Sequence, residues 1–301
     1  MGKRRKNGAS GFPKKGEFMK VAVSVESVHD LTKELLEKYD IKVIPYQINL
    51  GDLSFKDGTY STEEMFALVE KYNTLPKTTA INPVEYKEFF ENLKKDYDAV
   101  VHICLSSGIT SSCGNAIAAA KEVKDVFVVD SLELSTGIAL QAIYARELAD
   151  SGMSAEEIAA KLNARRDKVQ TSFILERLDY MHKGGRCSSI ALLGANLLKI
   201  RPRIVLKNGK MISDKKYRGN IQSVISKYAD ELFREFDSPD LTRVFITYTT
   251  ASPEMVAAAK EKCQSIGFKE ILETHAGGTI ASHCGAHTLG ILYYNDGEKI
   301  Q

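Results

Sequence analysis

The chain has 301 residues, of which 44% are hydrophobic and 27% are charged, a profile typical of a soluble globular protein with room for two domains. No apolar run approaches the roughly 20 residues of a membrane-spanning helix, so we expect no stable membrane insertion. The formal net charge is +2, and it becomes negative once the basic first eighteen residues are left out. The folded part therefore lacks the basic character of a nucleic-acid-binding protein.

Residues 1–18 differ in composition from the rest of the chain. They are basic, contain Gly and Pro, and show neither helical nor strand periodicity. No apolar segment follows the basic cluster, so they do not resemble a secretory signal. Met19 begins a buried-strand pattern. We expect Met19 to be the natural start of the folded unit, and residues 1–18 to be a disordered tail or a remnant of expression.

The five cysteines are scattered along the chain and show no C-x-x-C spacing. An odd number of unclustered thiols, without a secretory signal, indicates reduced cysteines and a cytoplasmic protein. A zinc site built from them is not expected. They are Cys104, Cys113, Cys187, Cys263 and Cys284.

The first half alternates apolar runs with amphipathic segments. Predicted strands are VAVSV, IKVIPYQINL, DAVVHICL and VFVVD, and GDLSFKDGTY is rich in turn residues. Between the strands lie predicted helices, of which one starts at Ser61 and another has Asn82 as its N-cap and Pro83 at its first position. Apolar strands separated by helices predict a parallel sheet covered on both faces.

The second half has a different pattern. TSFILERL, TRVFITYTT, KEILET and TLGILYYN are predicted strands, and LDYMHKGGRCSSIALLGANLL is a helical region interrupted by a Gly-Gly-Arg turn. Asn208-Gly209 between two apolar runs predicts a hairpin. Hairpins mixed with helices predict an α/β domain with a mixed or antiparallel sheet. We place the boundary near Lys168, with domains at 19–167 and 168–301.

The segment SSGITSSCGNA follows the predicted strand AVVHICL and runs into a helix. In open parallel sheets, ligands bind beyond the carboxyl ends of the strands, and helix N-termini favour anions. A helix cap and a ligand site both remain open as interpretations, because five hydroxyls exceed what one cap needs. These five hydroxyl groups belong to Ser106, Ser107, Thr110, Ser111 and Ser112.

The segment ETHAGGTIASHCGAHTLG contains three histidines and a cysteine. His283 and His287 share a face only within a helix, and the flanking glycines favour a loop, so we predict no metal site. Cys284 activated by a neighbouring histidine remains an alternative, although no orienting carboxylate lies nearby in the sequence. Elsewhere, Thr78 alone is typical of a turn, and Arg186 beside two glycines could approach a phosphate.

Eight segments in this order resemble the DegV family of bacterial fatty-acid-binding proteins. They are VAVSVESVHDL, YDIKVIPYQINLGDLSFKDG, LPKTTAINPVEY, SSGITSSCGNA, VVDSLELSTG, LDYMHKGGR, LLKIRPRIVLKNGK and GGTIASHCGAHTLG. The resemblance covers the chain from Met19 and implies a Rossmann-like N-terminal domain, a C-terminal α/β domain and a lipid buried between them. It also implies a non-catalytic protein that presents the lipid carboxylate to a separate fatty acid kinase.

The resemblance implies a set of ligand-binding residues. The family threonine, serine and histidine that hold the carboxylate fall on Thr78, Thr110 and His283, and we add Ser107 and Ser27 to this set. The arginines implicated in the kinase partnership fall on Arg186 and Arg218. The expected ligand is a fatty acid such as palmitate, stearate or oleate, with no other cofactor.

Several positions depart from the family pattern around the expected head-group site. The usual DSTSDL is ESVHDL here, which introduces Glu26, Val28 and His29, and the usual G-P-G is Gly285-Ala286-His287. These changes leave the chain length of the lipid open, together with the roles of His29 and His287. The alternatives are an enzyme that uses Cys284 and His283 on an acyl or phosphate substrate, and a sensor of another small carboxylate.

Overall fold

The computed structural model describes residues 19–191 and 200–300. Its strands in chain order are β1 (Val21–Glu26), β2 (Ile41–Ile44), β3 (Gln47–Leu50), β4 (Leu53–Lys56), β5 (Lys77–Thr79), β6 (Ala99–Cys104), β7 (Val126–Asp130), β8 (Val169–Ile174), β9 (Ile200–Lys207), β10 (Lys210–Arg218), β11 (Arg243–Tyr248), β12 (Glu270–His275) and β13 (Leu289–Tyr294).

The helices of the same residues are α1 (Lys33–Lys38), α2 (Thr62–Tyr72), α3 (Pro83–Leu93), α4 (Ser112–Ala120), α5 (Thr136–Asp150), α6 (Ala155–Arg165), α7 (Asp179–Gly184), α8 (Ser188–Ala191), α9 (Ile221–Glu235), α10 (Pro253–Ile266) and α11 (Gly278–Cys284). Short 3-10 turns lie at Ser27–His29 and Arg166–Lys168. None of these helices is both long and apolar enough to cross a membrane.

The strands form three sheets, which we call A, B and C. Sheet A is parallel with the order β2-β1-β6-β7, and sheet C is mixed with the order β10-β9-β8-β13-β11-β12, in which only β11 and β12 pair in parallel. Sheet B is a small antiparallel sheet with the order β4-β3-β5. The predicted α/β class, with a parallel first sheet and a mixed second one, is confirmed.

Sheets A and B precede Lys168, and sheet C follows it. The apolar core nevertheless crosses this point. One buried cluster contains Val25 and Ile103 of sheet A together with Phe245 and Leu292 of sheet C. A second cluster packs sheet C against α9 and α10. The boundary at Lys168 stays a prediction, and the two halves share one core rather than having fully separate ones.

The prediction of one strand over IKVIPYQINL was wrong. The strand is broken at Pro45: β2 pairs in sheet A, whereas β3 pairs in sheet B. Proline has no N–H to donate to a ladder, so the chain can leave one sheet there and enter another. The neighbouring segment GDLSFKDGTY contains β4, although its turn-rich composition predicts no strand.

Local sequence patterns predicted several boundaries correctly. The Asn82 side chain accepts hydrogen bonds from the N–H groups of Val84 and Glu85, and Pro83 begins α3. The hairpin between β9 and β10 turns at Asn208 and Gly209, whose φ angles of 51° and 73° are left-handed, as that type of turn requires. In the helical region after Leu178, α7 ends before Gly185, α8 begins at Ser188, and residues 192–199 lie outside the described residues.

The prediction of a loop across the segment ETHAGGTIASHCGAHTLG was also wrong, because residues Gly278–Cys284 form α11. Gly277 is its N-cap, and Gly285 ends it with φ 72° and ψ −179°, a conformation that is essentially restricted to glycine. The flanking glycines therefore mark the two ends of a short helix. His287 lies beyond that end, so it does not share a helical face with His283.

A candidate ligand site between sheets A and C

A cavity of about 420 Å³ lies where the two halves of the molecule meet. Its size falls within the range of small-molecule pockets. The order of sheet A explains the position, since the chain winds in opposite directions from β1 and β6 and a crevice opens beyond their carboxyl ends. The wall is largely apolar, with Val28, Leu105, Ile109, Leu134, Met181 and Ile280 among its residues.

His283 and Thr78 form a hydrogen bond across this cavity. The ring Nε2 of His283, in the last turn of α11, lies 2.9 Å from the Thr78 hydroxyl oxygen on β5. Both residues line the cavity. The turn suggested by the local pattern at Thr78 is in fact an edge strand of sheet B, and this strand aims the hydroxyl at the imidazole.

The His283 imidazole is electrically neutral at physiological pH. Burial lowers the pKa of His283 to about 4, and the positive charge of Arg186 acts in the same direction. The other ring nitrogen, Nδ1, is buried and has no hydrogen-bond partner among the described residues. A Cβ atom placed on Gly184 would lie 2.5 Å from this nitrogen, so the glycine makes room for the ring. A neutral imidazole has one N–H, which can donate to an anionic head group.

Ser107 and Thr110 line the cavity from the loop that follows β6. The Thr110 hydroxyl accepts a hydrogen bond of 3.2 Å from the Ser112 N–H at the start of α4. Ser106, in contrast, donates 2.7 Å to the carbonyl of Gly209 and fastens the β9–β10 hairpin to this loop. Thr110 precedes the N-cap Ser111, satisfies the first N–H of α4 and also faces the cavity, so the two interpretations of this segment are compatible.

The structure brings Thr78, Ser107, Thr110, His283 and Arg186 together at one cavity. Arg186 is exposed, and its guanidinium donates to the Gly184 carbonyl at 2.5 Å.

Two other predicted site residues lie elsewhere. Arg218 ends β10 on the surface and is not among the lining residues. Ser27 does not line the cavity either; its hydroxyl donates 2.9 Å to Asp57 and accepts from the Tyr46 N–H.

Cys284 also lines the cavity, but its surroundings disfavour a nucleophile. Burial raises the pKa of the Cys284 thiol to about 12, with a further contribution from the Asp30 carboxyl. The hydrogen bond of the adjacent His283 goes to Thr78. Since the thiolate is the reactive species, this geometry does not support the alternative of a cysteine-based enzyme.

The two histidines at unusual positions have structural surroundings. His29 is buried, and its Nδ1 accepts 2.7 Å from the Leu31 N–H, while burial lowers its pKa to about 4. His287 is exposed and has a left-handed φ of 57°. This backbone conformation is the one that glycine adopts most easily, which explains why a glycine suits position 287.

A group of possible metal-ligating atoms lies in the core of sheet A rather than at the cavity. Glu26, His102 and Cys104 place ligand atoms within 4.8 Å of one another. The Glu26 carboxyl already accepts hydrogen bonds from the Tyr86 hydroxyl and from the Leu105 N–H at 2.7 Å. Hydrogen bonds of the protein itself therefore occupy this carboxyl.

Sequence reasoning missed three parts of the site. Tyr46 and Met211 line the cavity. Tyr46 follows Pro45, where the chain passes from sheet A to sheet B, and Met211 lies just after the β9–β10 turn, and the sequence does not specify the tertiary position of either. It also missed Asp30 and Asp57, whose carboxyl groups contact the start of α11. Asp30 is the fifth residue of the quoted segment ESVHDL and matches the second aspartate of the usual DSTSDL, which was the available indication.

The fold and the cavity define a two-domain α/β protein with a ligand site between its sheets. A family model described as "Uncharacterised protein, DegV family" matches residues 20–296. The chain therefore belongs to the DegV family, as the sequence motifs predicted.

Several relatives and solved structures resemble this chain over most of its length. A fatty acid-binding protein of Thermotoga maritima is 30% identical over 284 residues, which cover 90% of this chain and 96% of that protein. The crystal structure of a DegV lipid-binding protein from Thermotoga maritima superposes with a TM-score of 0.83 at 28% identity, covering 93% and 100% of the two chains. A DegV family protein from Thermus thermophilus, described for its fatty acid binding, gives a TM-score of 0.84 at 25% identity and covers 92% and 99%.

Proposed function

We propose that this protein binds a long-chain fatty acid in the cavity between sheets A and C. The carboxylate lies beside Thr78, Thr110 and His283, with Ser107 nearby, and the acyl tail follows the apolar wall. The observation that supports this most directly is the pairing of His283 with Thr78 at a cavity that is otherwise largely apolar. The description of the Thermotoga maritima relative as a fatty acid-binding protein supports the same ligand class.

The tail supplies the affinity in this proposal. Burying a methylene group is worth roughly 0.8 kcal/mol, so a tail of palmitate length contributes on the order of 10 kcal/mol before the costs of association. Hydroxyl groups and an imidazole then satisfy the carboxylate, which would otherwise lose its hydrogen bonds to water. A site of this kind discriminates acids from neutral lipids mainly through its few polar groups.

The protein acts as a carrier rather than a catalyst in this proposal. The raised pKa of the buried Cys284 thiol and the lowered pKa of the buried His283 suit a binding role. Arg186, exposed beside the cavity, and Arg218, exposed at the end of β10, supply positive charge toward a partner. The partner is the catalytic subunit of a fatty acid kinase, which would phosphorylate the presented carboxylate.

Extraction of the purified protein with organic solvent, followed by mass spectrometry, tests the ligand. We expect an acyl chain in the extract, and an upward shift of the melting temperature when palmitate, stearate or oleate is added. His283→Ala should weaken the shift, whereas His275→Ala, at an exposed position of β12, should leave it unchanged. An empty extract together with no stabilisation by any of these acids would contradict the proposal.

The kinase partnership needs its own test. Arg218→Ala should lower the rate of acyl phosphate formation by a fatty acid kinase while the affinity for palmitate stays the same, because Arg218 lies outside the cavity. Lys216→Ala, at an exposed residue of the same strand, is the matched control. Equal rates for all three proteins would argue against a role of Arg218 in this partnership.

A further inference from the structure

The helix that contains His283 begins without a cap of its own. Gly277 is the N-cap of α11, and no side chain of the helix satisfies its first N–H groups. The first four N–H groups of any helix lack partners within the helix, and leaving them unpaired in a buried place is costly. Gly278 and Thr279 are buried, so these groups need partners from elsewhere in the protein.

Two carboxyl groups from the first half of the chain supply those partners. Asp30 Oδ1 accepts 2.8 Å from the Gly277 N–H, and Asp57 Oδ2 accepts 3.3 Å from the Thr279 N–H. Asp30 follows the 3-10 turn after β1, and Asp57 follows β4. The helix of the second half is thus capped by acids that are more than 200 positions away in sequence.

Both acids are themselves held in place by hydroxyl groups. Ser27 donates 2.9 Å to Asp57 Oδ2, and Ser135 donates to Asp30 Oδ2. Thr62 donates 2.5 Å to the carbonyl of Ala276, directly before the helix. These contacts fix the carboxyl groups rather than leaving them as mobile surface charges. They also give Ser27, which does not line the cavity, a place in the same arrangement.

Gly278, the first residue of α11, permits the close approach. A Cβ atom on Gly278 would lie 2.8 Å from the Ile48 side chain and 3.0 Å from the Asp57 carboxyl. The first turn of the helix therefore fits against the acids only without a side chain at this position.

We infer that Asp30 and Asp57 are positioning residues for His283. They hold the N-terminus of α11, and His283 lies only about one turn further along the same helix, so they set where its imidazole meets Thr78. Neither acid is among the residues that line the cavity, so neither contacts the ligand. This inference rests on the proposed function for its effect on lipid binding, although the capping itself can be tested without a ligand.

The test compares Asp57→Ala with Asp57→Asn and with Asp52→Ala. Asn keeps an oxygen that can accept the hydrogen bond from the Thr279 N–H, whereas Ala removes this acceptor. Asp52 is an exposed acid just before β4 and serves as the matched control. Binding is measured for palmitate and for hexadecanol, which has the same tail length and lacks the carboxylate.

We expect Asp57→Ala to lower the affinity for palmitate by roughly tenfold, the size of one lost helix cap, and to change the affinity for hexadecanol much less. Asp57→Asn should restore most of the palmitate affinity, and Asp52→Ala should behave like the wild type. In the His283→Ala background, Asp57→Ala should add little, since both changes remove the same interaction. Equal losses for the acid and the alcohol, or no loss for the acid, would overturn the inference.

A second measurement is independent of the lipid. In the ligand-free protein with nitrogen-labelled histidine, Asp57→Ala and Gly278→Ala should shift the His283 ring resonances and leave those of the exposed His275 unchanged. Unmoved His283 resonances in both variants would refute the positioning role. If the wild type binds neither ligand, the proposed function fails, while these resonances still decide whether the acids position His283. Should Asp57→Ala fail to fold, Asp30→Ala compared with Asp30→Asn provides the same comparison, because Asp30 accepts from the Gly277 N–H.

Discussion

The Nε2 atom of His283 lies 2.9 Å from the hydroxyl oxygen of Thr78, although 205 positions of sequence separate the two residues. Thr78 belongs to the edge of sheet B, and His283 belongs to α11 beside sheet C. The contact therefore exists only when the two halves of the molecule are closed on each other. It places a hydroxyl and a neutral imidazole at the same point of an apolar cavity.

Thr78→Val should weaken palmitate binding by roughly 10- to 100-fold, because it removes the hydroxyl and keeps the shape of the side chain. The loss of one hydrogen bond to a charged group corresponds to roughly 1.5–3 kcal/mol. Isothermal titration calorimetry would measure it. Thr79→Val is the control, since Thr79 is exposed and its hydroxyl accepts from the Asn49 amide. If both variants bind palmitate like the wild type, Thr78 is not a head-group ligand.

The free energy of unfolding should fall as the pH rises from about 6.5 to 8. Burial raises the pKa of Glu133 to about 8, with a further contribution from the Asp167 carboxyl, while hydrogen bonds to Thr171 and Leu134 oppose the shift. The folded state then binds more protons than the unfolded chain, so deprotonation destabilises it. The buried histidines His29 and His283 have lowered pKa values and lose stability only below about pH 6.5, outside this window.

Chemical denaturation at several pH values measures this dependence. Glu133→Gln should flatten it, because the amide does not titrate. Glu26 and Asp30, whose pKa values burial raises to about 7, continue to titrate in the variant, so part of the slope should remain. A wild-type protein that becomes more stable between pH 6.5 and 8 would contradict the assignment of a protonated Glu133.

His287→Gly should stabilise the protein by about 1 kcal/mol, because a left-handed backbone is unfavourable for a residue with a Cβ atom. The side chain contributes little in return, since its Nε2 lies 3.9 Å from Glu176 and it is 49% exposed. The midpoint of urea denaturation would report the change. Ala286 is adjacent and has no positive φ, so Ala286→Gly should destabilise the protein. If Ala286→Gly stabilised it by the same amount, the gain would be a general effect of glycine in this turn.

Leu134→Ala should shift the preference toward longer acyl chains. A second cavity of about 20 Å³ lies next to the main one, and Leu134, Ile280 and Cys284 line both. Shortening Leu134 removes part of the wall between them and lengthens the space for a tail. Competition among saturated acids of increasing length would measure the optimum. An unchanged optimal chain length would show that the tail does not point toward Leu134. Ile117→Ala, at an exposed residue of α4, is the control for a general effect on stability.

The local conformation of much of the chain follows from its sequence. The caps at Ser61 and Asn82 and the hairpin at Asn208-Gly209 depend on interactions within a few residues, and all of them were predicted. The apolar runs of β1, β6 and β7 also predicted these three strands, although their pairing in sheet A is long-range. The quoted motifs were also sufficient to identify the family and to propose Thr78, Thr110 and His283 as ligand-binding residues.

Only the tertiary structure decided how these pieces meet. It divided one apolar run at Pro45 between two sheets, and it turned a glycine-rich segment into α11 by supplying the caps of Asp30 and Asp57 from the other half of the chain. A helix of seven residues is too short to be stable by itself, so its formation depends on partners that no local pattern specifies. For the same reason, the sequence determined which side chains could hold a carboxylate, whereas packing between the two sheets determined which of them lie at the cavity.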